Sequence, residues 1–502
     1  MQVSSPLTEQ RKFLKREFKM INHIINKTFA NLPVKVLQIG EGNFLRAFAE
    51  LVIECMNRKG IFNGSVAMCQ PKGSDFADVL NAQNCVYTVV VRGKENGETV
   101  NNSQVITSVR ECINPKKDYA KLLEYARETS LQVVISNTTE AGIYYNPDDK
   151  ITSAPPEAYP AKLTALLYER YRFFGGDETK GLLILPAELI DKNGDELKKI
   201  VMRYAHEWEL PENFVFWLEK SCCFANTLVD RIVTGYPKDE SAFLCEKFGY
   251  EDNCIDTCEP FFFWAIECDS KWKSVFPAGK SGMNVIFADD ITPYKTRKVR
   301  ILNGAHTVSV LAAYHCGYDI VLEMMNDSAL RNYIKKAMSE EIIPTINLPE
   351  KELSDFADAV VERFDNPFIK HKLLDISLNS VSKYRARCLG TLLDYYRIKS
   401  ELPPILTFGL AALINFYDGE FENGKYYGTR GDERYEIRDN AEVLSFMNEA
   451  WHGENTVKAV LSNRDFWGED LTKIDGMEKL VSAYLDEIKT SGVKSVIKKL
   501  IK

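Results

Sequence analysis

The feature that most constrains this chain is a turn. Gly40-Glu41-Gly42 stands between a short apolar run, Val34–Ile39, and residues 44–57, where Phe44, Phe48, Leu51, Val52 and Cys55 recur at three- and four-residue spacing. The Val- and Ile-rich run predicts a buried strand, and the spacing after the turn predicts a helix. Glycines between a strand and a helix have a chemical use. The first permits the tight turn, the second lets a pyrophosphate approach the backbone, and the helix start offers unpaired N–H groups and a positive dipole end. Ile39, Gly40, Gly42, Asn43, Phe44 and Arg46 are therefore candidate cofactor contacts. The third glycine of the usual fingerprint is absent; Leu45 occupies its place.

The rest of the first half keeps the same alternation. Strands are expected at 65–69, 85–91, 104–109, 131–136 and 181–185, and helices at 119–127, 162–173 and 195–207. Apolar runs alternating with helices indicate βαβ units and a mostly parallel sheet. Residues 87–109, interrupted by the polar stretch 93–102, read as an antiparallel excursion. After Ile291 the strand signals fade. Helices or mostly helical stretches are expected at 299–314, 321–338, 352–363, 389–396, 405–416, 441–450, 456–462 and 477–500. The chain of 502 residues is too long for one core, and the break is expected near Asp289 to Pro293. The fold class is thus α/β: a Rossmann-like dinucleotide-binding domain over 1–290, followed by a mainly α-helical domain over 291–502.

The formal charge of −8 argues against nucleic acid as a partner. Arg11, Lys12, Lys15, Arg16, Glu17 and Lys19 interrupt any signal-peptide core. The longest aromatic-apolar run, 261–266, falls far short of the ~20 residues that span a bilayer. A cytoplasmic, membrane-free protein is expected. Its 12 cysteines are scattered; the closest group, Cys245, Cys254, Cys258 and Cys268, contains no CxxC pair and has no nearby His. Reduced core thiols are expected there, and no metal site.

Two further places carry chemistry. The second strand ends at Gln70, followed by Pro71 and Lys72. An acidic residue here usually binds the ribose diol of NAD; Gln70 can do so without repelling a phosphate, and Lys72 would favour NADP, so the residues leave the cofactor open. In the second half, Lys298-Val299-Arg300-Ile301-Leu302-Asn303-Gly304-Ala305-His306 brings three polar groups together. On an α-helix at 100° per residue, Lys298, His306 and Asn303 fall within roughly 140°. Carbonyl reduction needs a proton donor and a group to stabilise the alkoxide. Lys298 can give the proton if burial or cations such as Arg297 and Arg300 disfavour its charged form. Asn303 and His306 can hydrogen-bond the oxyanion. By themselves these residues are more simply read as a solvated lysine, a helix irregularity at Asn303-Gly304 and a core histidine.

Several segments together resemble the long-chain mannitol dehydrogenase family. Gly40 to Arg46 resembles its GxGxFxR turn, and Lys298, Asn303 and His306 match its K-x4-N-x2-H pattern. Asn226 to Ile232 resembles its N-[ST]-x-V-D-R-I segment, and Glu259 to Glu267, with Pro260, Phe261 and Trp264, resembles the stretch before the catalytic helix. Ser136 to Gly142 looks most like the members that act on sugar acids, and adds Asn137, Thr138 and Glu140 to the cofactor contacts. The resemblance implies NAD as cofactor, no metal, and a small sugar acid as substrate; it implies no oligomeric state. Lys298 would be the general acid in reduction and the base in oxidation, with Asn303 and His306 polarising the carbonyl. Asp230, with Asn226, would belong to the substrate pocket. A further family Asn falls on Leu189 here, and a substrate-binding Arg falls on Asp375, with Lys383 at the matching basic position eight residues on. Lys383, Arg385 and Arg387 form a basic trio, in which Lys383 with Arg387 would hold the substrate carboxylate; a solvated helix face is the competing reading.

Overall fold

A computed structural model describes residues 19–71, 75–139 and 141–502. They divide into two units: one runs up to Val91 and resumes over Asn101–Asp289, and the other joins Arg92–Val100 to Asp290–Lys502.

In the first unit the predicted alternation closes into a six-stranded sheet. Its strands are β1 (Val34–Ile39), β2 (Ser65–Cys69), β3 (Val109–Ile113), β4 (Val133–Ser136), β5 (Leu183–Pro186) and β6 (Cys223–Phe224). Their order is β3-β2-β1-β4-β5-β6, with every neighbour pair parallel. This is the doubly wound Rossmann order, which reverses direction between β1 and β4. Both faces are covered, so the strands are apolar on both sides. Val36 packs with Phe48, Val52 and Trp264 on one face, and Leu37 and Ile39 pack with Leu122, Leu163 and Val201 on the other. A ligand crevice is expected outside the carboxyl ends of β1 and β4, where the order reverses. Gly40 and Asn137 follow those two strands.

Several expected elements differ in detail. The helix expected over 44–57 is two helices, Asn43–Arg46 and Ala49–Arg58. The break has two causes. Arg231 donates to the Ala47 carbonyl at 3.0 Å, and Phe48 turns inward to stack on Phe44 at 4.8 Å and on Phe262 at 4.2 Å. The polar stretch 93–102 does not interrupt strand structure. Tyr87–Glu95 and Glu98–Ile106 run through it and are neighbours in a second sheet, joined at Asn96 and Gly97, both at positive φ. The segment Asn226–Asp230 pairs antiparallel with Phe263–Glu267, which pairs parallel with Val285–Ala288.

The second unit is mainly helical. Its centre is the pair Gly304–His315 and Pro404–Phe416, in close contact. Pro404–Phe416 is apolar nearly all round and is correspondingly buried. Two corrections apply. The helix expected over 299–314 is composite: Thr292–Arg297 is α-helical, Lys298–Asn303 is a π-helix, and α-helix resumes at Gly304. Strands also return after Ile291. Gly419–Glu422, Lys425–Arg430 and Glu433–Ile437 form an antiparallel sheet in which exposed charged residues outnumber buried ones and mask the alternation. Among the described residues no helix is long and apolar enough to cross a membrane, and no group of three or more His, Cys, Asp or Glu side chains is placed to hold a metal ion.

Candidate active site

In the first unit the candidate residues centre on the turn at the end of β1. Gly40 donates to the Cys69 carbonyl at 2.9 Å, and Asn137 donates to the Ile39 carbonyl at 3.0 Å, so the ends of β2, β1 and β4 lie side by side. Gly40 has φ +127°, and a Cβ there would stand 2.8 Å from the Asn137 carbonyl oxygen, so only glycine fits. Gly42 and Asn43 are exposed, and a Cβ on Gly42 would meet no atom within 4 Å. Gly42 is the N-cap of Asn43–Arg46, whose first amides have no partner inside the helix. A tight, open turn with free amides suits a pyrophosphate.

The neighbouring candidates divide into those at the rim and those beneath it. Phe44 is half-buried against Phe48, and Ile39 is buried. Gln70 is buried at the end of β2 and donates to Glu41 at 3.1 Å. Asn137 donates its side-chain amide to the Ala187 carbonyl at 2.8 Å. Thr138 binds Glu188 through both its amide, at 3.0 Å, and its hydroxyl, at 2.9 Å. Glu140 and Lys72 lie outside the described residues. Arg46 is 1% exposed and points into the domain. It donates to the carbonyls of Glu41 and Cys254 and to Asn43, and faces Asp256 at 3.5 Å. It therefore braces the turn from below.

Asn226 and Asp230 open and close one strand of the first unit, and both are buried. The Asn226 amide donates to Glu267 at 2.9 Å while its oxygen accepts from the Asp195 amide at 3.1 Å. Leu189, where the family has an Asn, is exposed.

A separate group of candidate residues lies in the second unit. Lys298 and Asn303 are the first and last residues of the π-helix, and both are half-buried. A π-helix closes i→i+5 hydrogen bonds, so these two residues stand one turn apart on one face, and Asn303 and His306 share a face three residues apart. The π turn thus replaces the wider α-helical arc expected from the sequence. The expected neighbours of Lys298 are committed elsewhere: Arg300 pairs with Asp394 at 2.6 Å, and Arg297 pairs with Glu352. Neither stands as a bare cation beside the lysine.

The cations gather around His306 instead. Its ring lies flat on Phe364, with centroids 4.0 Å apart and planes 3° apart, and meets His371 edge-on at 5.7 Å. Burial holds its pKa well below the ordinary histidine value, and His371, Arg363, Arg387 and Lys383 push the same way. The imidazole is neutral, and its buried Nε2 meets no hydrogen-bond partner among the described residues. Lys383 is half-buried and donates to the Ile376 carbonyl at 2.8 Å; burial and then Arg387 lower its pKa. Arg387 is half-buried in a second π-helix, Arg385–Leu389, which packs on the first. Among the described residues no carboxylate lies within ion-pair distance of Lys383 or Arg387. Arg385 turns away to the Asp465 carbonyl, and Asp375 pairs with Arg438 at 3.2 Å. Sequence reasoning missed Arg363, Phe364 and His371. The only signal for them is the basic run Lys370-His371-Lys372.

Comparison with known proteins matches both domains. The family profile for the mannitol dehydrogenase Rossmann domain matches residues 34–276, and that for the mannitol dehydrogenase C-terminal domain matches 290–489. Altronate oxidoreductase from Klebsiella pneumoniae is 45% identical over 480 residues, covering 94% of this chain and 98% of that one. Altronate oxidoreductase from Escherichia coli is 43% identical over the same shares. Among solved structures, D-sorbitol dehydrogenase in substrate-free form superposes with TM-score 0.78 at 21% identity, over 93% of this chain and 96% of that one. Mannitol 2-dehydrogenase from Pseudomonas fluorescens, in a ternary complex with NAD and D-mannitol, gives 0.65 at 20% identity, over 94% and 95%. With both domains matched and near-full-length relatives above 40% identity, the chain belongs to the mannitol dehydrogenase family of oxidoreductases.

Proposed function

We propose that the protein catalyses the reversible, NAD-dependent interconversion of D-tagaturonate and D-altronate. The observation that carries the reading is the cationic surround of His306. Lys383 and Arg387, without ion-pair partners among the described residues, stand by a neutral imidazole that can donate to a carbonyl oxygen. A keto sugar acid has both a carbonyl and a carboxylate, whereas a polyol has no group for the two cations. The near-full-length likeness to altronate oxidoreductases supports the same substrate.

NAD fits the turn of the first unit, because the Gly40 cradle excludes a Cβ and Gly42 opens to solvent. Ile39, Gly40, Gly42, Asn43, Phe44, Gln70, Asn137, Thr138 and Glu140 would hold it, with Arg46 bracing the turn. When bound, the nicotinamide supplies hydride in reduction and accepts it in oxidation. The chain's own residues do the rest. Lys298 gives its proton to the substrate carbonyl oxygen in reduction and takes it back in oxidation. Asn303 and His306 donate hydrogen bonds to that oxygen as it gains charge. Lys383 and Arg387 hold the carboxylate, and Asp230 with Asn226 accepts sugar hydroxyls. No metal takes part in this scheme.

The test is a substrate panel of tagaturonate, fructuronate and fructose with NADH and NADPH, followed at the nicotinamide absorbance. The highest kcat/KM is expected for tagaturonate with NADH; a preference for fructose would overturn the reading. Lys298→Ala should lower kcat by about 10²–10⁴-fold while NADH binding is retained.

A further inference from the structure

The turn at Gly40 rests on a buried acid that the reaction above does not use. Glu50, on the helix Ala49–Arg58, is fully buried. Its carboxylate accepts from the Gln38 amide on β1 and from the Tyr87 hydroxyl. The same Gln38 amide donates to the Gly40 carbonyl at 2.9 Å, and Arg46 donates to the Glu41 carbonyl at 3.2 Å. In a trans peptide the N–H points opposite the C=O. With both carbonyls turned to donors inside the domain, the amides of Glu41 and Gly42 point away from them, toward the phosphate side. Glu50 therefore lies directly behind the anion-binding face of the turn.

Burial pushes the Glu50 carboxyl up to about 7, against the hydrogen bonds from Tyr87 and Gln38 and the charge of Arg46, with Asp256 adding a small upward push. The groups facing it are Gln38, Arg46, Cys85, Tyr87, Cys112 and Asp256. Both protonation states can be satisfied. The Tyr87 hydroxyl lies near Glu50 and also 3.1 Å from the Arg46 carbonyl. With Glu50 ionised, Tyr87 donates to the carboxylate. With Glu50 protonated on that oxygen, the acid donates to Tyr87, and Tyr87 donates to the Arg46 carbonyl. The hydrogen-bonded frame survives, and only the charge behind the turn changes.

We propose that binding of the dinucleotide at this turn takes up one proton on Glu50, because pyrophosphate and carboxylate repel each other through a poorly screened interior. The inference rests on reading the turn as the dinucleotide site. A bound anion favours the neutral acid, so affinity is greatest below the Glu50 transition and falls as pH rises through it.

NADH binding by nicotinamide fluorescence should weaken roughly tenfold between about pH 6 and about pH 9, one pKa unit of linkage being tenfold. Calorimetry near neutral pH in buffers of different ionisation enthalpy should read proton uptake. Glu50→Gln, which mimics the protonated acid, should bind with the tighter affinity at both ends of the range and show no buffer dependence. Tyr87→Phe removes a bond that favours the carboxylate and should move the transition to higher pH. Asp256→Asn removes only a small upward push and should move the Glu50 transition slightly to lower pH without abolishing it. A pH dependence that persists in Glu50→Gln, or is missing in the wild type, overturns the inference alone. Absence of NADH binding at every pH removes the dinucleotide reading with it.

Discussion

Lys383 gives one hydrogen bond to the Ile376 carbonyl and keeps two donor positions, close to Arg387 and with no carboxylate in ion-pair reach among the described residues. That arrangement suits a ligand carboxylate better than a solvated helix face. Replacing Lys383 by Ala is expected to raise KM for tagaturonate by about 10–100-fold, the worth of one charge-assisted hydrogen bond. Turnover of fructose, which has no carboxylate and is expected to be a poor substrate, should not change. An unchanged KM for the sugar acid would remove the assignment. His306 has a complementary part. Held neutral by burial and the surrounding cations, it can polarise a carbonyl but is a poor proton source near pH 7, in keeping with the proposed role of Lys298 as the proton donor. The spacing Lys298, Asn303, His306 and the pair Lys383, Arg387 could be singled out in the sequence because they are local patterns, whereas Arg385 of the same basic run turns away. Arg363, Phe364 and His371 could not. They reach His306 only through tertiary packing, and no periodicity marks a residue for the ring it will stack against.

The π-helices are where element and chemistry meet. Lys298–Asn303 and Arg385–Leu389 carry Lys298, Asn303 and Arg387, and they pack on each other. A π turn inserts one residue into a helix and re-aims the side chains around it. Gly304 sits at this crossing: a Cβ there would be 3.3 Å from the Arg387 carbonyl, and the Cys388 thiol donates to the Gly304 carbonyl at 3.8 Å. Gly304→Val is expected to push the two segments apart. A lower Tm, reflecting about 1–3 kcal/mol of overpacking, should accompany a fall in kcat with NADH affinity unchanged. Unaltered kcat in a folded variant would show that the crossing does not aim the site. Apolar spacing identified a helix over 299–314 but could not show the π turn, because one inserted residue barely disturbs an average over the window. The sheet Gly419–Ile437 escaped for a different reason. Its charged strands hide their alternation, although Asn423-Gly424, both at positive φ, is the signature of a two-residue hairpin turn.

For the whole molecule, the strand-and-helix rhythm of the first half was enough to predict a mostly parallel sheet, but the strand order and the place where it reverses come from the structure alone. What the linear pattern hid is that the second unit is not one stretch of chain: it takes in Arg92–Val100. There the amides of Asn96 and Gly97 donate to the Glu362 carboxylate at 3.2 and 2.6 Å, the Asn366 amide meets the Arg92 carbonyl, and Arg92 lies over the Phe368 ring. Two residues beyond Glu362 comes Phe364, the ring on which His306 is stacked. This arrangement has a consequence in time. Gly97 and Glu362 are 265 residues apart, and at ~5–20 residues per second the ribosome needs roughly 10–50 s to pass from one to the other. A nascent chain halted before Glu362 should be cut by protease within Arg92–Val100, and one that extends through residue 502 should resist; equal resistance at both lengths would count against this order of assembly. Among the first pieces of the second unit to be synthesised, this segment waits longest for its partner, and the floor beneath His306 sets only once translation has passed Glu362.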